Sequence, residues 1–197
     1  MKIASLRDPH IRGFSLVELM VVIAMVSILV AIAAPNFDSV IRRNKLDAAT
    51  EVFRAGQAYT RSEAITRGTR VSMAANAAGW PSGWTIFTDD STLAPNCTLN
   101  AAAGEVLLRV QEPTATNVSF VPGSSSATGV GSCTAAAAGV PTLGTCLSYD
   151  ASGVARGTSN GLDPITVCVS DTASPSTMYR RMTINSTGQL FLQKVSN

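Results

Sequence analysis

One carboxylate near the start of the sequence lies in an unexpected setting. Glu18 is part of the stretch RGFSLVELMVVIAMVSILVAIAAPNF, in which the residues from Phe14 to Ala34 are otherwise almost entirely apolar. A charged side chain inside a membrane helix costs at least about 2.5 kcal/mol, so such a residue is usually retained for a function or a partner. The position therefore suggests that the carboxylate of Glu18 has a partner.

Cysteines are the other reactive residues, and all four lie beyond the apolar run: Cys97, Cys133, Cys146 and Cys168. None forms a C-x-x-C pair, so zinc sites and redox motifs have little support. An even number of cysteines in an exported domain favours two disulfides. Of the three pairings, we predict Cys97–Cys133 and Cys146–Cys168, because each joins neighbours along the chain; the two other pairings stay open.

Several kinds of catalytic site are missing from the sequence. The only histidine is His10, in the leader, so the rest of the chain has no Ser-His-Asp triad, Cys-His nucleophile or histidine metal site. There is no phosphate-binding loop or dinucleotide-binding fingerprint. Asp89 and Asp90 fall in the turn-like stretch FTDDSTLAPN, where they are expected to solvate a loop. We therefore predict a protein that is not an enzyme and uses no metal or cofactor.

The charge balance argues against a nucleic-acid binder. The chain has 15 basic and 13 acidic residues. Three basic residues and one acidic residue lie in the leader, Met1 to Gly13, so the formal charge from Phe14 onward is zero. A strong nucleic-acid binder usually has a basic excess on one face. Residues 42–45 and 180–181 could form local basic patches, but ordinary solvated charges are the preferred interpretation.

The apolar run predicts a membrane helix that continues into a soluble domain. Its length of about 20 residues, or roughly 30 Å as a helix, suffices to cross a bilayer. Positive charges before it predict a cytoplasmic N-terminus and an exported C-terminal part. We divide the chain into a leader (1–13), a transmembrane helix (14–35), an amphipathic helix (36–68) and a β-rich head (69–197). Pro35 is expected to kink or locally melt the helix, and Gly68 to end it.

After Gly68 the pattern changes to short strands. The stretches RVSMA, GWTIFTD, VLLRVQ, NVSFV, CLSYD and ITVCVS are bounded by turn-forming residues, and RRMTINSTGQLFLQ is typical of a hairpin. The region from Pro122 to Gly144 is expected to be a long surface loop containing Cys133. The predicted fold class is α+β, with one long N-terminal helix packed against an antiparallel sheet.

The N-terminal residues resemble the type III signal of type IV pilins and pseudopilins. The resemblance rests on Gly13, Phe14, Glu18 and Pro35 in the stretch quoted above. It implies that a prepilin peptidase cleaves the chain between Gly13 and Phe14 and methylates the new amine. It also implies that Glu18 pairs with the Phe14 amine of a neighbouring subunit and so sets the register of a filament.

A second resemblance is to the GspH/FimT family of minor pilins. It rests on YTRSEAITRGTRVSM followed by GWPSGWTIFTDD, with Thr60 at a position where the family usually has alanine. It implies a pilin-like fold and a subunit that moves from the inner membrane to the pilus. The implied partners are other minor pilins, the major pilin and the prepilin peptidase. The implied role is in a complex that primes pilus assembly and sits at its tip.

Three alternatives remain. A secretory signal peptide cleaved after Ala31-Ile32-Ala33 would release a soluble periplasmic protein. A DNA-binding pilin for natural transformation would carry G-R-x-R near its C-terminal hairpin, but the matching positions here are Gly188, Gln189, Leu190 and Phe191. Trp80 and Trp84 could stack on bases, although packing in a core or turn is the preferred interpretation. A minor pseudopilin of a type II secretion system shares the same N-terminal signal.

Overall fold

The structure is a computed structural model, and it describes residues 13–90, 97–114, 117–122, 145–157, 165–173 and 178–196. The chain divides into two compact units, Met1–Ile41 and Arg42–Asn197. Most of the predicted leader lies outside the described residues, as do Cys133 and nearly all of the predicted surface loop.

A single helix, α1, runs from Leu16 to Arg67. It ends where the sequence predicts, because Gly68 adopts a φ of 65°, a left-handed conformation that glycine reaches without steric cost. Of the two outcomes predicted at Pro35, local melting is wrong, since the helix is continuous through that position, and the kink stays a prediction. Proline removes only one backbone donor from a helix.

Among the described residues, nine strands follow the helix and form two antiparallel sheets. The first sheet has the order β3-β2-β1-β5-β6 and the second the order β4-β7-β8-β9. Their bounds are β1 Val71–Asn76, β2 Gly79–Thr88, β3 Leu107–Gln111, β4 Val118–Pro122, β5 Cys146–Tyr149, β6 Ala155–Gly157, β7 Ile165–Asp171, β8 Met178–Ile184 and β9 Leu190–Ser196. A short 3₁₀ turn, Ala101–Ala103, lies between β2 and β3.

The α+β prediction and the C-terminal hairpin are confirmed. Strands β8 and β9 pair from Ile184 opposite Leu190 to Met178 opposite Ser196, and the Asn185 amide donates to the Gln189 carbonyl at 3.0 Å. The sequence predicts one sheet, whereas the structure has two. Strand β6 was not predicted, because three residues are too few to show an alternating pattern.

The core of the C-terminal unit lies between α1 and both sheets. Phe53 is fully buried, and its ring centroid lies 5.4 Å from that of Trp80, 5.7 Å from that of Trp84 and 5.6 Å from that of Phe120. Aromatic rings at these separations gain about 0.5–1.5 kcal/mol per pair beyond the area they bury. Both tryptophans are therefore core residues, as preferred from the sequence, and neither is available to stack on a nucleic-acid base.

The predicted disulfide pairing is wrong. Cys97 bonds to Cys146, with Cα atoms 5.4 Å apart, so neither Cys97–Cys133 nor Cys146–Cys168 can form. Cys168 is also disulfide-bonded. Distance along the chain misled the prediction, because Cys146 lies in β5, which pairs with β1, and two cysteines 49 positions apart in the sequence meet in the fold.

One arginine in each of the two candidate basic patches forms an ion pair. Arg180 is only 4% exposed, and its Nε donates to Asp47 Oδ1 of α1 at 2.7 Å. Lys194 Nζ lies 3.6 Å from the same oxygen, and Arg42 Nη1 lies 3.5 Å from Asp171 Oδ2. The preferred interpretation as ordinary solvated charges therefore fails for Arg180, whose charge is buried and fastens α1 to the second sheet.

Acid should weaken this attachment through Asp47. The hydrogen bond from Arg180 holds the pKa of Asp47 below its ordinary value of 3.8, although burial opposes that shift. Because the folded-state pKa is depressed, the stabilisation is present above the unfolded-state value and is lost as the pH falls through the folded-state pKa. We expect Asp47→Asn to lower the urea midpoint at pH 7 and to reduce the further loss of stability between pH 5 and pH 3.

The exposed Asp90 offers a matched control, since Asp90→Asn should retain the acid sensitivity of the unchanged chain. An Asp47→Asn protein whose stability fell with acid as steeply as that of the unchanged chain would contradict the assignment.

Candidate processing and assembly site

The residues around the predicted cleavage point lie just before the helix. Gly13, Phe14 and Ser15 are not helical, and α1 begins at Leu16. The hydroxyl of Ser15 accepts a hydrogen bond from the Glu18 amide at 3.2 Å, and the Ser15 carbonyl accepts one from the Leu19 amide at 3.2 Å. Ser15 is therefore the N-cap of the helix, and the peptide bond between Gly13 and Phe14 lies outside the helical hydrogen-bond ladder.

Glu18 occupies the third position of the helix. Together with Ser15 it forms the S-x-x-E pattern of a capping box, in which a serine and a glutamate three residues later serve the free amides of a helix start. A carboxylate there is also favoured by the positive end of the helix dipole, typically by about 0.3–1 kcal/mol. The role of Ser15 was not predicted from the sequence, although the S-x-x-E pattern from Ser15 to Glu18 is a known signal for the start of a helix. At this position the carboxylate of Glu18 can stabilise the start of α1, a role that its place in an apolar run did not suggest.

The N-terminal half of α1 presents a long apolar surface. Phe14 is 79% exposed and Leu16 73% exposed, and most of the large apolar side chains that follow up to Val30 are about half exposed or more. The polar hydroxyl of Ser27 donates to the Ile23 carbonyl at 2.8 Å, within the helix itself. Apolar surfaces of this extent mark contacts with a membrane or with another protein.

Among the side chains that the structure describes, no helical stretch is both long and apolar enough to cross a membrane.

In the C-terminal unit, α1 is tied to two turns by polar side chains. Gln57 Nε2 donates to Tyr149 Oη at 2.6 Å and to the Gly188 carbonyl at 3.2 Å. Arg61 donates from Nε to the Gly153 carbonyl at 3.1 Å and from Nη2 to the Thr187 carbonyl at 2.9 Å. Burial raises the pKa of Tyr149 above its ordinary value, with the Gln57 hydrogen bond opposing the shift, so the phenol stays protonated. These bonds fix the turn before β6 and the turn of the β8–β9 hairpin.

Small residues allow the helix and the first sheet to approach closely. A Cβ at Gly56 would lie 2.9 Å from Nε1 of Trp84. Gly83 has a φ of 94°, and a Cβ there would clash with the Gln111 carbonyl of β3. Thr60 is fully buried, and its hydroxyl donates to the Gly56 carbonyl at 2.8 Å, which satisfies the polar group at a position where alanine is usual. Gly83, the second glycine of GWPSGW, therefore has a packing role.

The positions that match the G-R-x-R motif of DNA-binding pilins lie at this hairpin. Gly188 has a φ of 78° at the turn, and Leu190 begins β9. Gln189 and Phe191 stand where the motif has arginines, and Phe191 is 58% exposed. The site keeps the glycine that the turn requires and lacks the two cations that would contact phosphates.

Two protein-family models match the chain and establish the family to which it belongs. A model described as Type II transport protein GspH matches residues 49–188, which is more than half of the chain. The chain belongs to the GspH family. A second model, the prokaryotic N-terminal methylation motif, matches residues 9–34 and so covers Gly13, Phe14 and Glu18. The resemblance to pilins stated from the sequence is confirmed, and this GspH-family chain is a minor pilin or pseudopilin.

One solved structure supports this fold, and a second is reported beside it. The type IV minor pilin FimU of Pseudomonas aeruginosa is similar with a TM-score of 0.51 and 19% identity, over 77% of this chain and 90% of that one. The minor pseudopilin EpsH from the type 2 secretion system of Vibrio cholerae has a TM-score of 0.48 and 14% identity, over 76% of this chain and 97% of that one. No curated protein sequence matches the chain.

Proposed function

We propose that this GspH-family chain is a minor pilin of a type IV pilus, made as a precursor and cleaved between Gly13 and Phe14. Its helix anchors it in the inner membrane, with the C-terminal unit in the periplasm. The subunit then joins other minor pilins and the major pilin in the complex that primes filament growth and sits at its tip. The protein acts by assembly and not by catalysis.

The observation that supports this proposal is the start of α1, where Ser15 caps the helix and where the chain matches the methylation motif. The segment Gly13–Ser15 is non-helical and exposed, so a peptidase can reach its backbone. Beyond it, the exposed apolar face needs a lipid or protein environment. The disulfide between Cys97 and Cys146 fits an oxidising compartment outside the cytoplasm.

Glu18 is proposed to act in assembly through its charge. In a single subunit the carboxylate is stabilised by the helix start, where it can also reach water. In a filament the apolar helices pack together, and a carboxylate buried there needs a positive partner. The N-terminal amine of a neighbouring Phe14 keeps its charge when methylated and can serve as that partner. Such a pair would set the axial register of the subunits, as buried polar residues do in coiled coils.

The mature N-terminus tests the processing step. We expect intact-mass analysis of the chain purified from its own membranes to give a protein that begins at Phe14 and carries one additional methyl group. Co-expression with a prepilin peptidase inactivated at its active site should leave the precursor mass. A protein that begins at Ala34 would instead show cleavage by a signal peptidase and would remove the filament role.

A second candidate function is that of a minor pseudopilin in a type II secretion system. It is favoured by the match to the model described as Type II transport protein GspH. Deletion of the gene separates the two functions. The pilus proposal predicts that surface pili are lost and that secretion of exported enzymes is unchanged. Retained pili together with periplasmic accumulation of those enzymes would establish the secretion role.

A further inference from the structure

A groove lies beside the hairpin turn of the C-terminal unit. It encloses about 620 Å³ between one stripe of α1, which includes Arg54, Arg61 and Ile65, and the residues from Gly188 to Phe191. We call this cavity the hairpin groove. Its helical lining follows steps of three and four residues, which places those side chains on a single face of α1.

The hairpin groove carries positive charge without a lining carboxylate. Among the described residues, Arg61 donates to the carbonyl oxygens of Gly153 and Thr187, which are neutral and supply no countercharge. Arg54 lies 3.4 Å from Glu51, but both side chains are more than half exposed, and such pairs contribute only about 0–1 kcal/mol. No acidic residue is among the residues that line the groove. An anionic group would therefore find two guanidinium groups there.

The walls of the hairpin groove are apolar. Ile65 is 51% exposed and Phe191 is 58% exposed. On β9, Leu190 and Leu192 pack against the core, whereas Phe191 between them is exposed and lines the groove. An exposed aromatic side chain beside an arginine is the composition that recurs in the centres of protein interfaces.

The shape of the hairpin groove is set in advance by buried hydrogen bonds. Gln57 is 4% exposed and holds the Gly188 carbonyl, while Arg61 holds Thr187 beside it. A Cβ at Gly188 would clash with the Gly153 carbonyl and lie 2.9 Å from Arg61 Nε, so the turn is closely packed against its surroundings. A preformed site loses less conformational entropy when it binds a ligand.

We propose that the hairpin groove binds a segment of a partner protein in which a carboxylate side chain lies next to an aromatic or aliphatic one. The carboxylate would contact Arg54 and Arg61, and the apolar side chain would lie between Ile65 and Phe191. A nucleic acid fits less well, because it needs a track of phosphate contacts and the groove offers two cations in a chain with no net charge from Phe14 onward. Binding in the groove requires neither cleavage at Gly13 nor a filament.

Selection from a phage-displayed library of random peptides tests the proposal on the full chain in detergent. We expect the selected peptides to be enriched in aspartate or glutamate beside an aromatic or aliphatic residue. A synthetic peptide with the consensus sequence should bind about fivefold or more weakly to Arg54→Gln and to Phe191→Ser. Arg43→Gln and Val110→Ser change an exposed arginine and an exposed apolar residue elsewhere in this unit and should leave its affinity unchanged.

Selected peptides without acidic residues would overturn the proposal, as would a consensus peptide that binds equally to all four variants. A fluorescein-labelled DNA duplex provides the other arm of the experiment. If the duplex bound the full chain and lost affinity on Arg54→Gln while acidic peptides did not bind, the groove would be a nucleic-acid site instead.

Discussion

Replacing Glu18 by alanine is expected to reduce the amount of the chain in assembled filaments by more than about tenfold. In the proposed filament, the change would leave the methylated amine of a neighbouring subunit buried without a counter-charge, and removing one member of a buried ion pair typically costs about 3–5 kcal/mol. The measurement is the ratio of the chain in sheared filaments to the chain in membranes, by quantitative immunoblot in a strain that expresses the other subunits normally.

Glu18→Gln separates the capping position that the structure shows for this residue from the assembly role proposed for it. Glutamine can still serve as the third residue of a capping box, but it carries no charge. If Glu18 acts through its charge, Glu18→Gln should reduce the amount of the chain in filaments as Glu18→Ala does. Assembly of the glutamine variant at the unchanged level would show that capping is the role of Glu18. Ser27→Ala is a control within the same apolar helix, because the Ser27 hydroxyl bonds only to the preceding turn in the structure and its loss should not affect assembly.

Phe53→Ala should produce the largest loss of stability among single core substitutions. The side chain is fully buried and contacts three aromatic rings, so its removal leaves a cavity between α1 and the sheets. We expect the free energy of unfolding to fall by about 3–5 kcal/mol. Tryptophan fluorescence during urea denaturation of the disulfide-intact chain would report the change, because Trp80 and Trp84 both lie against this ring.

Phe191→Ala is the matched control, since it removes the same atoms from a side chain that is 58% exposed. Its effect should stay within about 0.5 kcal/mol. A loss below about 1 kcal/mol for Phe53→Ala would mean that the cluster collapses around the missing ring or that Phe53 is not central to the core.

The features that could be predicted are those determined by residues close together in the sequence. The helix, its end at Gly68 and the β8–β9 hairpin follow from periodicity and turn chemistry, which act over a few residues. The division of the strands between two sheets, the Cys97–Cys146 bond and the burial of Arg180 against Asp47 were not predicted. Each of these depends on which distant elements meet, and strands of either sheet show the same alternation of apolar and polar residues.

The same contrast between features set by nearby residues and features set by distant residues applies to the candidate site. Gly13, Phe14 and Glu18 belong to one contiguous motif and could be singled out from the sequence. The hairpin groove could not, because Arg61 and Phe191 are 130 positions apart and become neighbours only when the hairpin packs on α1. The sequence shows that Gln189 and Phe191 stand where the motif has arginines. It does not show that Arg54 and Arg61 of α1 lie beside the same turn.

The bond between Cys97 and Cys146 also bears on biogenesis. A chain that leaves the cytoplasm from its N-terminal side presents Cys97 to oxidases first and Cys133 next, before the native partner emerges. The shorter ring closes more readily, so early oxidation would trap Cys97 with the wrong thiol. Efficient maturation therefore requires either that translocation outpace oxidation or that an isomerase reshuffle the first bond, and a strain without such an isomerase should accumulate mispaired, protease-sensitive subunits.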